Sequence, residues 1–274
     1  MGLSQFGAFT QQTALSIQGA ISQAALGFTG NVFYCDPVNG SDVNTGTAPT
    51  NVSSGVGPVQ SIAQGYALLS EGHNDVLVLI GNGLSSGTAR IHATFTWAKD
   101  AAHLVGICAP SAFSQRARIA PGTTDTAFAN FFKVTGNGCY FSNLEFFQGF
   151  ATGIAAEICM KVSGSRNVFN NCHIAGMGDT SASAGAASTT SRNLLITAGE
   201  NLFVNCTIGI DTVARSTSNA SVELQNGAAR TIFRGCIFPV LASNAGALGL
   251  LVAAAAAIDR FTLFEDCYMI NAIQ

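Results

Sequence analysis

Residues 167–174 read NVFNNCHI, and the phrase returns as NLFVNCTI at 201–208, TIFRGCIF at 231–238 and TLFEDCYM at 262–269. A weaker copy, CYFSNLEF, occupies 139–146 with Leu144 where the others carry Cys. Measured at that position, the copies stand at 144, 172, 206, 236 and 267, a loose period of 28 to 34 residues. Repetition of this size, carried by short strand-like pieces, indicates a solenoid in which each copy is one coil.

The offsets inside the phrase say which solenoid. An aromatic precedes the Cys position by three residues in every copy: Phe141, Phe169, Phe203, Phe233 and Phe264. An odd offset puts two residues on opposite faces of a straight strand, so if both point inward the chain bends between them. The residue just before the Cys position is Asn143, Asn171, Asn205, Gly235 or Asp266, types that tolerate a left-handed backbone. Each coil therefore turns a corner there. Upstream, Val134, Val162 and Ile196 keep step ten residues before the Cys position, and later copies lose that spacing through insertions. Short strands and corners stacked about 4.8 Å apart make an all-β fold, a right-handed parallel β-helix. The Phe and Cys positions then form two internal columns.

The rest of the chain divides around this repeat. Residues 11–26, QQTALSIQGAISQAAL, place Ala14, Ile17 and Ile21 on one helical stripe, with Gly27 as a stop. Residues 1–30 are read as a helical arm or cap and 31–274 as the β-helix domain. The helix either covers the open end of the domain or docks on a neighbouring protein. Next come a short strand, NVFYCD, a Gly/Asn/Pro/Ser-rich loop, an amphipathic helical stretch at 60–72 and the apolar strand DVLVLIGNG at 75–83. The insertions GDTSASAGAASTTS (178–191) and DTVARSTSNAS (211–221) suit loops extruded from one side of a stack.

Composition narrows the partners. Of 274 residues only 10% are charged, against roughly 25% in ordinary domains, and the net charge is −3. The surface is then built from Ser, Thr, Asn, Gln, Gly and Ala, or is covered by neighbouring copies. The 12 Lys and Arg residues are spread thinly along the sequence, so nucleic acid is not an expected partner. Arg90 is the first basic residue, so no secretory n-region precedes an apolar core, and the run AGALGLLVAAAAAI at 245–258 is too short to span a bilayer.

The stretch YCDPVNGSDVNTGT, followed by PVQSIAQGYALLSEGHNDVLVLIGNG, resembles the opening segment of pectate-lyase-like β-helix proteins. With the coils, the resemblance covers roughly residues 31 to 270. It implies the fold and leaves the activity open, because that superfamily includes lyases, hydrolases, epimerases and virion proteins without catalysis.

Eight cysteines admit three readings: free buried thiols acting as small hydrophobes, at least one disulfide, or a metal site. No CxxC pair occurs, and His73, His92, His103 and His173 show no ligand spacing. His173, directly after Cys172, is expected to point outward at the surface. Asp36, Asn39, Asp42 and Asn44 alternate as oxygen ligands for Ca²⁺ would, but lack a bidentate Glu, so they read first as turn caps. Past residue 130 no acids cluster at one coil position. Asp179 and Asp211, each in a loop after a Cys phrase, are the choice if the chain is catalytic.

The sequence therefore leads to expectations of no enzymatic activity, no cofactor and no assigned catalytic, cofactor-binding or metal-binding residue. The expected role is a structural protein of a bacteriophage virion, decorating or cementing the capsid through interfaces with the major capsid protein and with sister copies, as a trimer. It would be assembled in the host cytoplasm, with no membrane and no nucleic acid as partner. The alternative is a tail-spike-like β-helix that binds or depolymerises polysaccharide.

Overall fold

Phe141, Phe169, Phe203, Phe233 and Phe264 stack ring on ring, with centroids 4.8, 4.7, 4.9 and 4.9 Å apart and planes within 16° of parallel. That is the spacing of neighbouring strands in a sheet, so each ring belongs to the next coil. In a computed structural model the described residues are 29–273, except 109–112, 114–116, 126–127, 150–156, 180–184, 226 and 254. The expected helix over 11–26, and with it the arm at 1–30, falls outside the described residues apart from Thr29 and Gly30. Register extends the Phe column backwards to Leu104, Leu77 and Phe33. Leucine in two of those places is why the repeat is not visible in sequence before residue 139.

Three parallel sheets form the walls. The first holds Val32–Cys35, Val76–Ile80, His103–Ile107, Tyr140–Ser142, Val168–Asn170, Leu202–Val204, Thr231–Arg234 and Thr262–Glu265. The second holds Phe95–Trp97, Asn130–Val134, Ile158–Val162, Arg192–Ile196, Ala220–Leu224 and Leu248–Val252. The third holds Ala89–Ile91, Ala117–Pro121, Leu144–Phe147, His173–Ala175, Thr207–Ile208, Ile237–Ala242 and Tyr268–Ile273. Each regular coil runs from the second sheet to the first, to the third, and back. The column Val134, Val162, Ile196 continues as Leu224 and Val252 despite the insertions. Both long insertions leave between the third sheet and the second, on one side of the stack.

The corner between the first and third sheets is the one legible in the repeat. Asn143, Asn171, Asn205, Gly235 and Asp266 have φ of 56°, 52°, 52°, 62° and 51°. In that left-handed turn the amide of one coil reaches the next: Asn171 N–H donates to the Val204 carbonyl and Asn205 N–H to that of Arg234, each at 2.8 Å. The cysteine after the corner faces back to the previous coil. Cys172, Cys206, Cys236 and Cys267 donate their thiols to the carbonyls of Phe141, Phe169, Phe203 and Phe233, at 3.6, 3.3, 3.5 and 3.4 Å. All eight cysteines are free. Burial pushes the Cys206 thiol well up, and the Cys236 thiol is raised by its hydrogen bond with Cys206 and then by burial.

A second left-handed column at the corner between the second and first sheets has no Asn or Asp to announce it. Gly138, Arg166, Glu200 and Arg230 have φ of 65°, 59°, 62° and 56°. Here too each amide bonds across to the next coil, Glu200 N–H to the Ala229 carbonyl at 2.9 Å and Arg230 N–H to that of Phe261 at 2.7 Å. Behind this corner, buried Asn167 and Asn201 stack as a polar rung, Asn201 Oδ1 accepting from Asn167 N–H at 3.0 Å.

The first coils are covered by the one α-helix among the described residues, α1 (Ile62–Leu68), shorter than the 60–72 read from the sequence. Ser61 caps its start, its side chain accepting from Gln64 N–H at 3.1 Å. Its last carbonyls are taken by Lys99, whose Nζ donates to Tyr66 and Leu69 at 2.8 and 2.6 Å. Asp75 ends the connection, accepting from Ser70 N–H at 2.7 Å. Gly65 lets α1 lie close on the first sheet, since a Cβ there would meet Leu77 Cδ1 at 2.6 Å and the leucine would have to shift.

Phe203→Ala removes one ring from the column and is expected to cost about 3–5 kcal/mol in denaturant unfolding. Asn171→Gly should be nearly neutral, whereas Asn171→Val forces a β-branched residue to positive φ and should cost about 1–3 kcal/mol. His103 gives a pH dependence. Its Nδ1 accepts from Tyr140 N–H at 3.0 Å, and burial, partly offset by Asp75, lowers its pKa from 6.5 to about 4. The neutral ring is the one the fold holds, so this contribution is complete above pH 6.5 and is lost as pH falls towards 4. The loss is expected to be about 3 kcal/mol, read from unfolding curves at neutral and acid pH.

Candidate functional site

The residues singled out in the sequence are placed as follows. In the Asp36 loop Asp36 caps a local turn, its Oδ1 accepting from Val38 and Asn39 N–H at 2.9 and 3.0 Å. Asp42 and Asn44 do not cap turns but tie the loop to more distant chain: Asp42 Oδ1 accepts from Gln60 and Ser61 N–H at 2.9 and 2.7 Å, and Asn44 donates to Asn51 Oδ1 and to the Pro58 carbonyl, each at 3.0 Å. Asp179 and Asp211 both follow strands of the third sheet, on successive coils, and Asp211 is exposed. Among the described residues no group of three His, Cys, Asp or Glu side chains is arranged to hold a metal ion.

A mixed row of charges does occur at one register of the third sheet. Arg118, Glu145, His173 and Thr207 are direct partners on four successive strands. Their neighbours Ala117, Ile119, Leu144, Phe146 and Ile174 are buried inward, so the row projects from the outer face. Glu145 Oε2 lies 3.9 Å from Arg118 Nε, and its Oε1 4.0 Å from His173 Nδ1. His173 Nε2 meets the Gly209 carbonyl at 2.9 Å, which requires a proton on Nε2 and turns Nδ1 towards the carboxylate. The Arg118 guanidinium also covers the Phe147 ring at 4.3 Å.

His173 therefore points outward as expected but is not a surface residue, being only 3% exposed, as is Glu145. Beside this row, Gln148 Nε2 donates to buried Glu157 Oε2 at 2.5 Å and Gln148 Oε1 accepts from Met177 N–H at 3.1 Å. The row is a buried electrostatic cluster, closed off from solvent at Glu145 and His173.

The open charged site is the second corner. Glu200 sits between two guanidiniums, Arg166 Nε and Arg230 Nη1, each 2.8 Å from one of its oxygens. Arg230 first and Arg166 second hold the Glu200 carboxyl below its ordinary pKa. Asp259 and Arg260 continue the line, 3.9 Å apart. Together with Ser165, Gly199, Gly227 and Ala229 these residues border an open groove of about 350 Å³.

The register of the repeat could have revealed the first of these sites. Glu145 and His173 each directly follow the Cys-equivalent position, so they had to fall in one outward column. The corner groove carries no comparable signal, because Arg and Glu are not residues that announce a left-handed turn.

No protein-family model matches the chain, and none of the curated proteins compared with it does. Among solved structures it is similar to a pectate lyase, Pel9A, with 15% identity and a TM-score of 0.46 over 79% of this chain and 56% of that one. It is also similar to a rhamnogalacturonan lyase, with 15% identity and a TM-score of 0.49 over 89% of this chain and 67% of that one. The chain thus spans little more than half the length of the pectate lyase. These likenesses concern fold. They also correct one expectation: the sequence argued against an enzyme from the absence of clustered acids, yet both similar structures are lyases, so the frame itself gives no ground for excluding catalysis. The architecture is that of a parallel β-helix built from three parallel sheets.

Proposed function

We propose that the chain is a structural β-helix of a virion, docking on neighbouring protein subunits of the particle through its last coil. The observation that carries this reading is the apolar surface gathered there. Phe261, Leu263, Tyr268, Met269 and Ile270 are 50%, 42%, 66%, 59% and 48% exposed. Most of the large hydrophobic side chains that stand exposed among the described residues belong to this coil and the strand Leu248–Val252 beneath it. Contiguous exposed apolar surface of this kind marks an interaction site.

A surface only thinly charged adds to this reading, since few ions must be desolvated when subunits close on it.

Tyr268→Glu combined with Ile270→Glu changes two exposed side chains and is expected to shift stability by no more than about 0.5 kcal/mol each. The amount of the protein sedimenting with assembled particles should fall several-fold. Unchanged sedimentation of the variant would overturn the assignment to this coil. A wild-type protein that stays monomeric at high concentration and never sediments with particles would overturn the docking role itself.

A further inference from the structure

The outer face of the second sheet carries a charge arrangement that the fold does not account for. Lys133 stands between Phe132 and Val134, and Lys161 between Met160 and Val162, all four fully buried. Both lysines therefore project outward. They are direct partners on adjacent parallel strands. Like charges placed opposite one another destabilise a strand pair, so an acid beside them would be expected. None is provided. Neither lysine has an ion pair or hydrogen bond with a described residue, and the undescribed segments contain no Asp or Glu. Along the same column the next position is Leu195, and then Glu223, which is already held by Arg192 at 2.5 Å and by Gln225 at 2.8 Å.

From the Lys161 strand the chain runs directly into the corner groove. Five residues after Lys161 stands Arg166, and the line continues through Glu200 to Arg230 and Arg260. Face and groove together present five cations against two carboxylates, Glu200 and Asp259, in a chain whose net charge is −3.

We infer that this basic face and groove form a docking surface for an acidic segment of a partner protein. The corner already displays the recognition geometry, since Glu200 is clamped between guanidiniums from the coils on either side, at 2.8 Å each. Arg166, Arg230 and Arg260 keep much of their side chains open to solvent along the groove, and guanidinium forks match carboxylates better than ammonium groups do. Two interior carboxylates in the line break it into separate cationic points. That spacing suits discrete Asp and Glu side chains rather than the unbroken charge of a nucleic acid backbone. The inference rests on the docking role proposed above and adds a second contact to it, on a different face from the last coil.

The test is fluorescence anisotropy of a labelled oligoglutamate peptide against the whole chain, at low and at raised salt. Wild-type protein is expected to bind, and to bind less tightly as salt rises. Lys133→Gln with Lys161→Gln should weaken binding about tenfold, and Arg230→Gln should weaken it similarly. The lysine double variant should unfold at the same temperature as wild type or higher, because it removes a like-charge pair, which separates lost binding from lost folding.

Absence of wild-type binding would overturn the inference, as would equal binding by the variants. So would tighter binding of polygalacturonate or single-stranded DNA at matched charge. Peptide binding that persists in Tyr268→Glu/Ile270→Glu, when particle docking is lost, would leave this surface standing apart from the last coil.

Discussion

The structure depends on the in-register stacking of one coil upon the next. Parallel strands fix the rise, and every side chain that points inward must then meet its own counterpart from the neighbouring coil. Flat rings satisfy this well: five phenylalanines lie face on face within 4.7–4.9 Å. Backbone polar groups must be satisfied at the same rise, even at the corners. The left-handed turns do this by aiming each corner amide at a carbonyl of the next coil. A coil that lost its corner would orphan a backbone amide as well as misplace a ring. The repeated phrase records both requirements in adjacent residues.

Cysteine enters for a related reason. After the corner the space is small, and the carbonyl of the Phe on the coil before lies within reach of a weak donor. Cysteine fills that space and donates, without the desolvation a hydroxyl would incur. Leu144 takes the position in the earliest recognisable copy, where volume alone suffices. Neither a disulfide nor a metal is needed to explain the column, and all the thiols are free.

What the sequence disclosed was set by how strictly each position is constrained. The Phe column, the Cys column and the corner at Asn143, Asn171, Asn205, Gly235 and Asp266 are limited by volume and φ to a few residue types, so they could be read directly. The second corner obeys the same backbone rule but is filled by Arg166, Glu200 and Arg230, held by inter-coil amide bonds and a guanidinium–carboxylate ladder that no single residue type announces. The site residues were less legible still. His173 was placed on the correct face and given the wrong exposure, because enclosure depends on what lies over a sheet and not on alternation along it. The lysine pair required register between coils to be known before it could be recognised as a pair. Functional surfaces on a solenoid lie where the repeat relaxes, and there the sequence is least repetitive.

The central claim is that coil-to-coil stacking at the corners holds the molecule together. Hydrogen exchange resolved at the amides of Asn143, Asn171 and Asn205 tests it most directly, since each donates to a carbonyl one coil on. The account predicts that these three exchange as slowly as the flanking strand amides, with a single common opening free energy. Exchange at rates typical of exposed loops, with the strands still protected, would contradict it.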